Sequence, residues 1–106
     1  LTTKYKGPDN KEIDVTVTDA GTASAMLHSY QSIFKSNISF ENDDGYQKIG
    51  NYNGISVIEN YDKRTRETDF AFIIKGRYLV KLRATGENSL SLLKYFMAKF
   101  DSSKLQ

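Results

Sequence analysis

Five consecutive apolar residues, Phe70-Ala71-Phe72-Ile73-Ile74, constrain this chain more than any other segment. Successive side chains of an extended strand point to opposite faces. Phe70, Phe72 and Ile74 therefore share one side, and Ala71 and Ile73 the other. A strand that is apolar on both sides belongs in the middle of a sheet and needs cover on both faces. That cover can come from two helices, from a segment preceding Leu1, or from a second subunit in a homodimer.

The neighbouring segments supply such a sheet. Thr2 to Lys6 reads as a first strand, and Gly7-Pro8-Asp9-Asn10 as the turn after it. Lys11 to Thr18 alternates, with Ile13, Val15 and Val17 on one face and Asp14, Thr16 and Thr18 on the other. Tyr46 to Ile49 and Ile55 to Tyr61 pair around the loop Gly50-Asn51-Tyr52-Asn53-Gly54, where Asn53-Gly54 is a strong hairpin signal. The central segment runs from Thr68 to Lys75. Lys75-Gly76 then turns it back into Arg77 to Thr85.

Two stretches carry helical periodicity. Thr22 or Ser24 can cap a helix running to about Lys35, with Ala23, Met26, Leu27, Tyr30, Ile33 and Phe34 within an arc of roughly 120°. Gly86-Glu87-Asn88-Ser89 starts a second, on which Leu90, Leu92, Leu93, Phe96, Met97 and Phe100 line one side. Ser36 to Asp44 reads as polar loop, with Ile38 and Phe40 dipping inward. The expected fold class is α+β: a mostly antiparallel sheet of about six strands with two amphipathic helices, in the order β-β-α-β-β-β-β-α.

The 106 residues match one domain, and 39% apolar residues with six Phe and seven Tyr suffice for one core. The chain opens on Leu1 instead of Met, which reads as a processed or trimmed product. A formal charge of +2 is too small for a nucleic-acid binder. With no cysteine, disulfides, thiol catalysis and thiolate metal sites are all excluded. No run approaches the length of a membrane span.

Several motifs suggest chemistry that the spacing does not support. His28, the single histidine, falls on the solvent side of its helix without an acid or serine partner. In Glu41-Asn42-Asp43-Asp44-Gly45 no carboxylate stands where the closing Glu of an EF-hand loop belongs, so no metal is expected. Lys75-Gly76-Arg77-Tyr78-Leu79-Val80 matches the central strand of the RNA-recognition motif at Lys75, Gly76 and Val80. Arg77, Tyr78, Leu79 and Leu82 occupy places that want aromatic or small residues, so the motif's base-stacking aromatics are missing. No glycine-rich phosphate loop is present, and no cofactor is implied. Asn37-Ile38-Ser39 fits a glycosylation sequon, which carries weight only in a eukaryotic secretory context.

Three functional readings remain. Tyr46, Tyr52, Tyr61 and Tyr78 lie on or beside neighbouring hairpins, and amphipathic rings suit a recognition surface for a protein or small molecule. Alternatively, Asp43, Asp44, Glu59 or Asp62 could serve a small enzyme as acid or base. Finally, Lys63, Arg64 and Arg66 could contact a polyanion, although Asp62, Glu67 and Asp69 flank them and nearly cancel their charge.

From about Lys11 onward, a series of short stretches resembles a group of bacterial exported and lipid-anchored proteins with no assigned activity. The stretches are Ile13-Asp14-Val15-Thr16-Val17-Thr18-Asp19-Ala20-Gly21, Gly45-Tyr46-Gln47-Lys48, Asn60-Tyr61-Asp62, Gly76-Arg77-Tyr78-Leu79-Val80 and Leu93 with Phe100-Asp101. In that group the first stretch usually ends Thr-Asp-Thr-Gly, and here Ala20 replaces the second threonine. The resemblance implies a small α+β fold similar to the PsbP-like proteins, and an extracytoplasmic location: periplasmic, secreted or lipid-anchored. It implies no catalytic residue. The favoured expectation is a non-catalytic binding or accessory domain of the cell envelope.

Overall fold

A computed structural model describes residues 2–6, 11–19, 21, 25–36 and 39–100. Seven strands form one antiparallel sheet: β1 (Thr2–Lys6), β2 (Glu12–Asp19), β3 (Phe40–Asn42), β4 (Gly45–Tyr52), β5 (Ile55–Asp62), β6 (Glu67–Ile74) and β7 (Tyr78–Thr85). Helix α1 (Ala25–Ser36) follows β2, and α2 (Ser89–Lys99) follows β7. Across the sheet the order is β1-β2-β7-β6-β5-β4-β3. The doubly apolar strand β6 thus takes the middle place, with three strands on each side.

The α+β class and the element order agree with the sequence. The strand count does not, because Phe40–Asn42 pairs with the start of β4 as a short edge strand. Asp43-Asp44 is a two-residue hairpin turn, and Asn42 Oδ1 accepts the Asp44 and Gly45 N–H groups at 2.8 and 3.2 Å. Phe40 does not dip inward. It is 53% exposed on this outer edge. The expected turn at 7–10, the cap candidates Thr22 and Ser24, and Asn37 and Ile38 lie outside the described residues.

Each face of β6 meets a different helix. Phe70 and Phe72 are fully buried with Val80 and Leu82 of β7 and Ile13 of β2. Leu93 and Met97 of α2 close over them. The opposite face is covered less completely. There Leu27 of α1, Ile58 and Leu79 are buried, while Ala71 and Ile73 are only half-buried.

Both ends of α2 are tied to hairpin turns. At its start, Ser89 Oγ donates to the Arg66 carbonyl at 3.2 Å and lies 2.7 Å from Thr68 Oγ1. At its end, Asn53 Nδ2 donates to the carbonyls of Met97 and Phe100, each at 3.3 Å. Asn53 therefore does two jobs. It takes the positive φ that the tight β4–β5 turn requires, 55°, and its amide donates to carbonyls at the end of α2.

Gly45 shows how closely β4 approaches β5. A Cβ there would stand 1.9 Å from the Tyr61 carbonyl oxygen, so backbone would have to move. At Gly54 a Cβ meets nothing, and only its positive φ opposes substitution. Gly54→Ala should cost about 1 kcal/mol, whereas Gly45→Ala should cost about 3 kcal/mol. Urea unfolding of the two variants checks this ranking, and equal midpoints would refute the close approach.

Candidate functional site

The incompletely covered face of the sheet carries an open groove of about 1060 Å³ beneath α1. Its floor follows from strand register. Lys4, Asp14, Arg83, Asp69, Asn60 and Gln47 are successive cross-strand partners from β1 to β4 and form one polar row. The adjoining row holds Thr16, Lys81, Ala71 and Ile58. Ser29, Tyr30 and Ile33 of α1 form the wall. Half-buried Tyr30 and Ile33 sit three apart on the helix, which puts both on the side facing the sheet.

Four of the five charges lining this groove form two pairs. Lys4 Nζ lies 2.8 Å from Asp14 Oδ1, and Arg83 Nε lies 2.9 Å from Asp69 Oδ1. The bond from Asp14 raises the pKa of Lys4, and the bond from Asp69 raises that of Arg83. Each cation also approaches a second carboxylate, Lys4 reaching Glu12 at 3.5 Å and Arg83 reaching Glu67 at 3.4 Å. Lys81 has no carboxylate partner among the described residues; its ammonium sits 5.9 Å from the centre of the Tyr30 ring.

On the other face the tyrosine-rich hairpin builds a closed cluster. Counting back from the two-residue turn, Tyr52 faces Ile55, Lys48 faces Glu59 and Tyr46 faces Tyr61. The Tyr46 and Tyr61 rings lie 5.7 Å apart. Tyr52 folds back over Gly50, where a Cβ would stand 2.9 Å from its ring, and stacks on Phe70 at 5.0 Å. From opposite sides, the Tyr46 and Tyr52 hydroxyls donate to the Glu59 carboxylate, and Lys48 Nζ approaches it to 3.8 Å. Glu59 is 0% exposed, so these donors offset the cost of burying it.

Desolvation, followed by the bond to Glu59 and the carboxylate's charge, pushes the Tyr46 and Tyr52 pKa values well above the ordinary 10.0. Both hydroxyls are committed to an internal partner. Of the four tyrosines singled out in the sequence, Tyr46 and Tyr52 thus meet at one carboxylate, and Tyr61 packs on the ring of Tyr46. Tyr78 does not join them. It stands at the start of β7, opposite Ile74 and Asp19, with the Arg77 guanidinium 5.6 Å from its ring centre.

The basic turn between β5 and β6 is paired throughout. Lys63 lies 3.7 Å from Glu41, Arg64 lies 3.7 Å from Asp62 and 3.9 Å from Asp44, and Arg66 lies 2.9 Å from Glu87. Asp62 also anchors the turn by accepting the Arg64 N–H at 2.8 Å. Asp43, Asp44, Glu59 and Asp62 line neither the α1 groove nor a smaller cavity of about 480 Å³ beside the start of α2. His28 is exposed on α1. No group of three or more His, Asp or Glu placed to hold a metal occurs among the described residues, and no helix there is long and apolar enough to cross a membrane.

Sequence reasoning singled out none of the groove's residues as a site. The available signal was register: counting outward from Asn53-Gly54 aligns Gln47 with Asn60, whereas Asp69 meets Arg83 because the next turn takes three residues, Lys75-Gly76-Arg77, and not the two that Lys75-Gly76 suggests. No family model matches this chain, and no curated protein or solved structure is significantly similar to it.

Two outcomes test the tyrosine cluster. Because both phenols keep their protons longer in the folded state, the stability they contribute is intact below about pH 10 and falls as pH rises beyond it. An absorbance titration of tyrosinate should therefore show two late-ionising tyrosines that titrate only as the fold is lost, and the absence of such a late phase would refute the cluster. Tyr52→Phe, which strips a donor from a fully buried carboxylate, should cost about 1–3 kcal/mol in denaturant unfolding. Exposed Tyr95→Phe should stay within about 0.5 kcal/mol.

Proposed function

We propose that this chain is a non-catalytic binding domain of the bacterial cell envelope and that its ligand site is the groove beneath α1. One observation carries the site: a cavity of about 1060 Å³, apolar at Ile33, Ile58 and Ala71, into which polar groups converge. For Gln47, Asn60 and Thr16 no side-chain hydrogen bond occurs among the described residues, so they are free to bond a ligand. Ligand sites typically combine an apolar lining with a few convergent polar groups in this way.

The chemistry of the groove favours binding over catalysis. Acid–base work needs carboxyls with pKa values pushed apart, and here Asp14 and Asp69 are each fixed against a cation. The tyrosine hairpin fits less well as the contact surface, because two of its hydroxyls already serve Glu59. The envelope location rests on the resemblance of the short stretches beginning at Ile13.

Ala71→Trp tests the site by filling the floor from a half-buried position outside the α2 core. Small-fragment screening by amide chemical shifts should move Ile58, Asn60, Ala71 and Lys81 in the native protein. These shifts should vanish in Ala71→Trp and weaken in Asn60→Ala. Shifts that gather around Lys11 and Tyr95, or that survive the tryptophan, would sink the assignment. The intact mass of the native polypeptide in separated envelope and cytoplasmic fractions tests the location, and a cytoplasmic form starting near Leu1 would refute it.

A further inference from the structure

We infer that Asn53-Gly54, at the tip of the β4–β5 hairpin, is a self-modifying site. Its asparagine deamidates to aspartate or isoaspartate, and the docked end of α2 sets the rate. The site lies on the face opposite the groove and stands apart from the binding reading.

The chemistry needs only the chain and water. The Gly54 backbone nitrogen attacks Asn53 Cγ and loses its proton, the C–N bond of the carboxamide breaks, and ammonia leaves. The resulting succinimide then takes up one water. Opening at one carbonyl gives aspartate, and opening at the other gives isoaspartate, whose backbone runs through the former side chain. Asn53 is the one asparagine in the chain that glycine follows. Both residues are exposed, and a Cβ at Gly54 would meet nothing within 4 Å, so the attacking nitrogen is unshielded.

The carboxamide, by contrast, is held. Asn53 Nδ2 donates to the carbonyls of Met97 and Phe100, each at 3.3 Å, which turns the group toward the end of α2. Ring closure needs the carboxamide laid against its own backbone, so both bonds have to break first. Phe100 is fixed in turn by ring contacts with Phe72 and Phe96, at 5.4 and 5.8 Å. Undocking of the last turn of α2 is thus the step that frees Asn53.

The product cannot restore this clamp. Ionised aspartate has no N–H to donate, and it sets a negative charge against the negative end of a helix dipole. Isoaspartate adds a methylene to a two-residue turn and disturbs the register that stacks Tyr52 on Phe70. Modification is therefore a one-way release of the helix end that packs on Phe72.

Ageing the whole chain in mildly alkaline buffer, folded and in denaturing urea, tests the site and its gate. Peptide mass mapping should place the amide-to-acid mass gain at Asn53 ahead of every other asparagine. The gain should accrue roughly tenfold more slowly in the folded chain, the factor that two modest hydrogen bonds provide. Phe100→Ala, checked as folded by circular dichroism, keeps both backbone acceptors and should recover much of the urea rate without denaturant. Another asparagine leading in the folded chain would overturn the site. Equal rates folded and unfolded, or a Phe100→Ala chain that ages no faster, would overturn the gate. Asn53→Asp keeps the tolerance for positive φ, so it isolates the lost donors and the added charge. Its amide exchange over 97–100 should quicken several-fold while Leu92 stays protected, and unchanged exchange would refute the release.

Discussion

The structure depends on how the two faces of β6 are covered. Phe70 and Phe72 on one side are sealed by α2, and the resulting core reaches from Ile13 on β2 to Val57 on β5. A helix that buries two phenylalanines contributes several kcal/mol of transfer free energy, on the order of 2 kcal/mol for each ring. The apolar residues on the other side are Ala71 and Ile73, which offer far less area, and α1 lies mainly against β5. The difference in side-chain volume between the two faces of one strand accounts for both the packed core and the open groove.

Much of this was legible from pattern and turn chemistry. Alternation located β2, unbroken apolarity located β6 at the middle of the sheet, and helical spacing located the face of α2. Hairpin signals were partly misread in extent. Gly50 to Gly54 reads as a five-residue loop by composition, but Asn53 and Gly54 at positive φ are enough to reverse the chain, so Tyr52 remains in β4. The seventh strand escaped notice because Phe40-Glu41-Asn42 is too short and too polar for any periodicity to show.

The sites were less legible than the fold, for a related reason. Tyr46, Tyr52 and Glu59 become neighbours only through cross-strand register, and a shift of one residue in that turn would move each to the opposite face. The burial of Glu59 was unpredictable from composition, since an isolated Glu in a strand normally points to water. It is tolerated because Gly50 leaves room for the Tyr52 ring to lie flat, which brings the hydroxyl within reach. The polar row under α1 mixes ordinary surface residue types, and only the pairing of their charges marks Lys81 as different.

The order of strands has a further consequence. From β3 to β7 every neighbour in the sheet is also a neighbour in sequence, whereas β2 is joined to β7 across more than half of the chain. Closing that seam costs far more chain entropy than any of the hairpins. It is therefore a natural line along which the β1–β2 hairpin can part from the meander without dismantling the rest. Thr16 stands on one bank of the seam and Lys81 on the other. A molecule lodged between them would act as a stitch, holding shut the joint that the chain finds hardest to close.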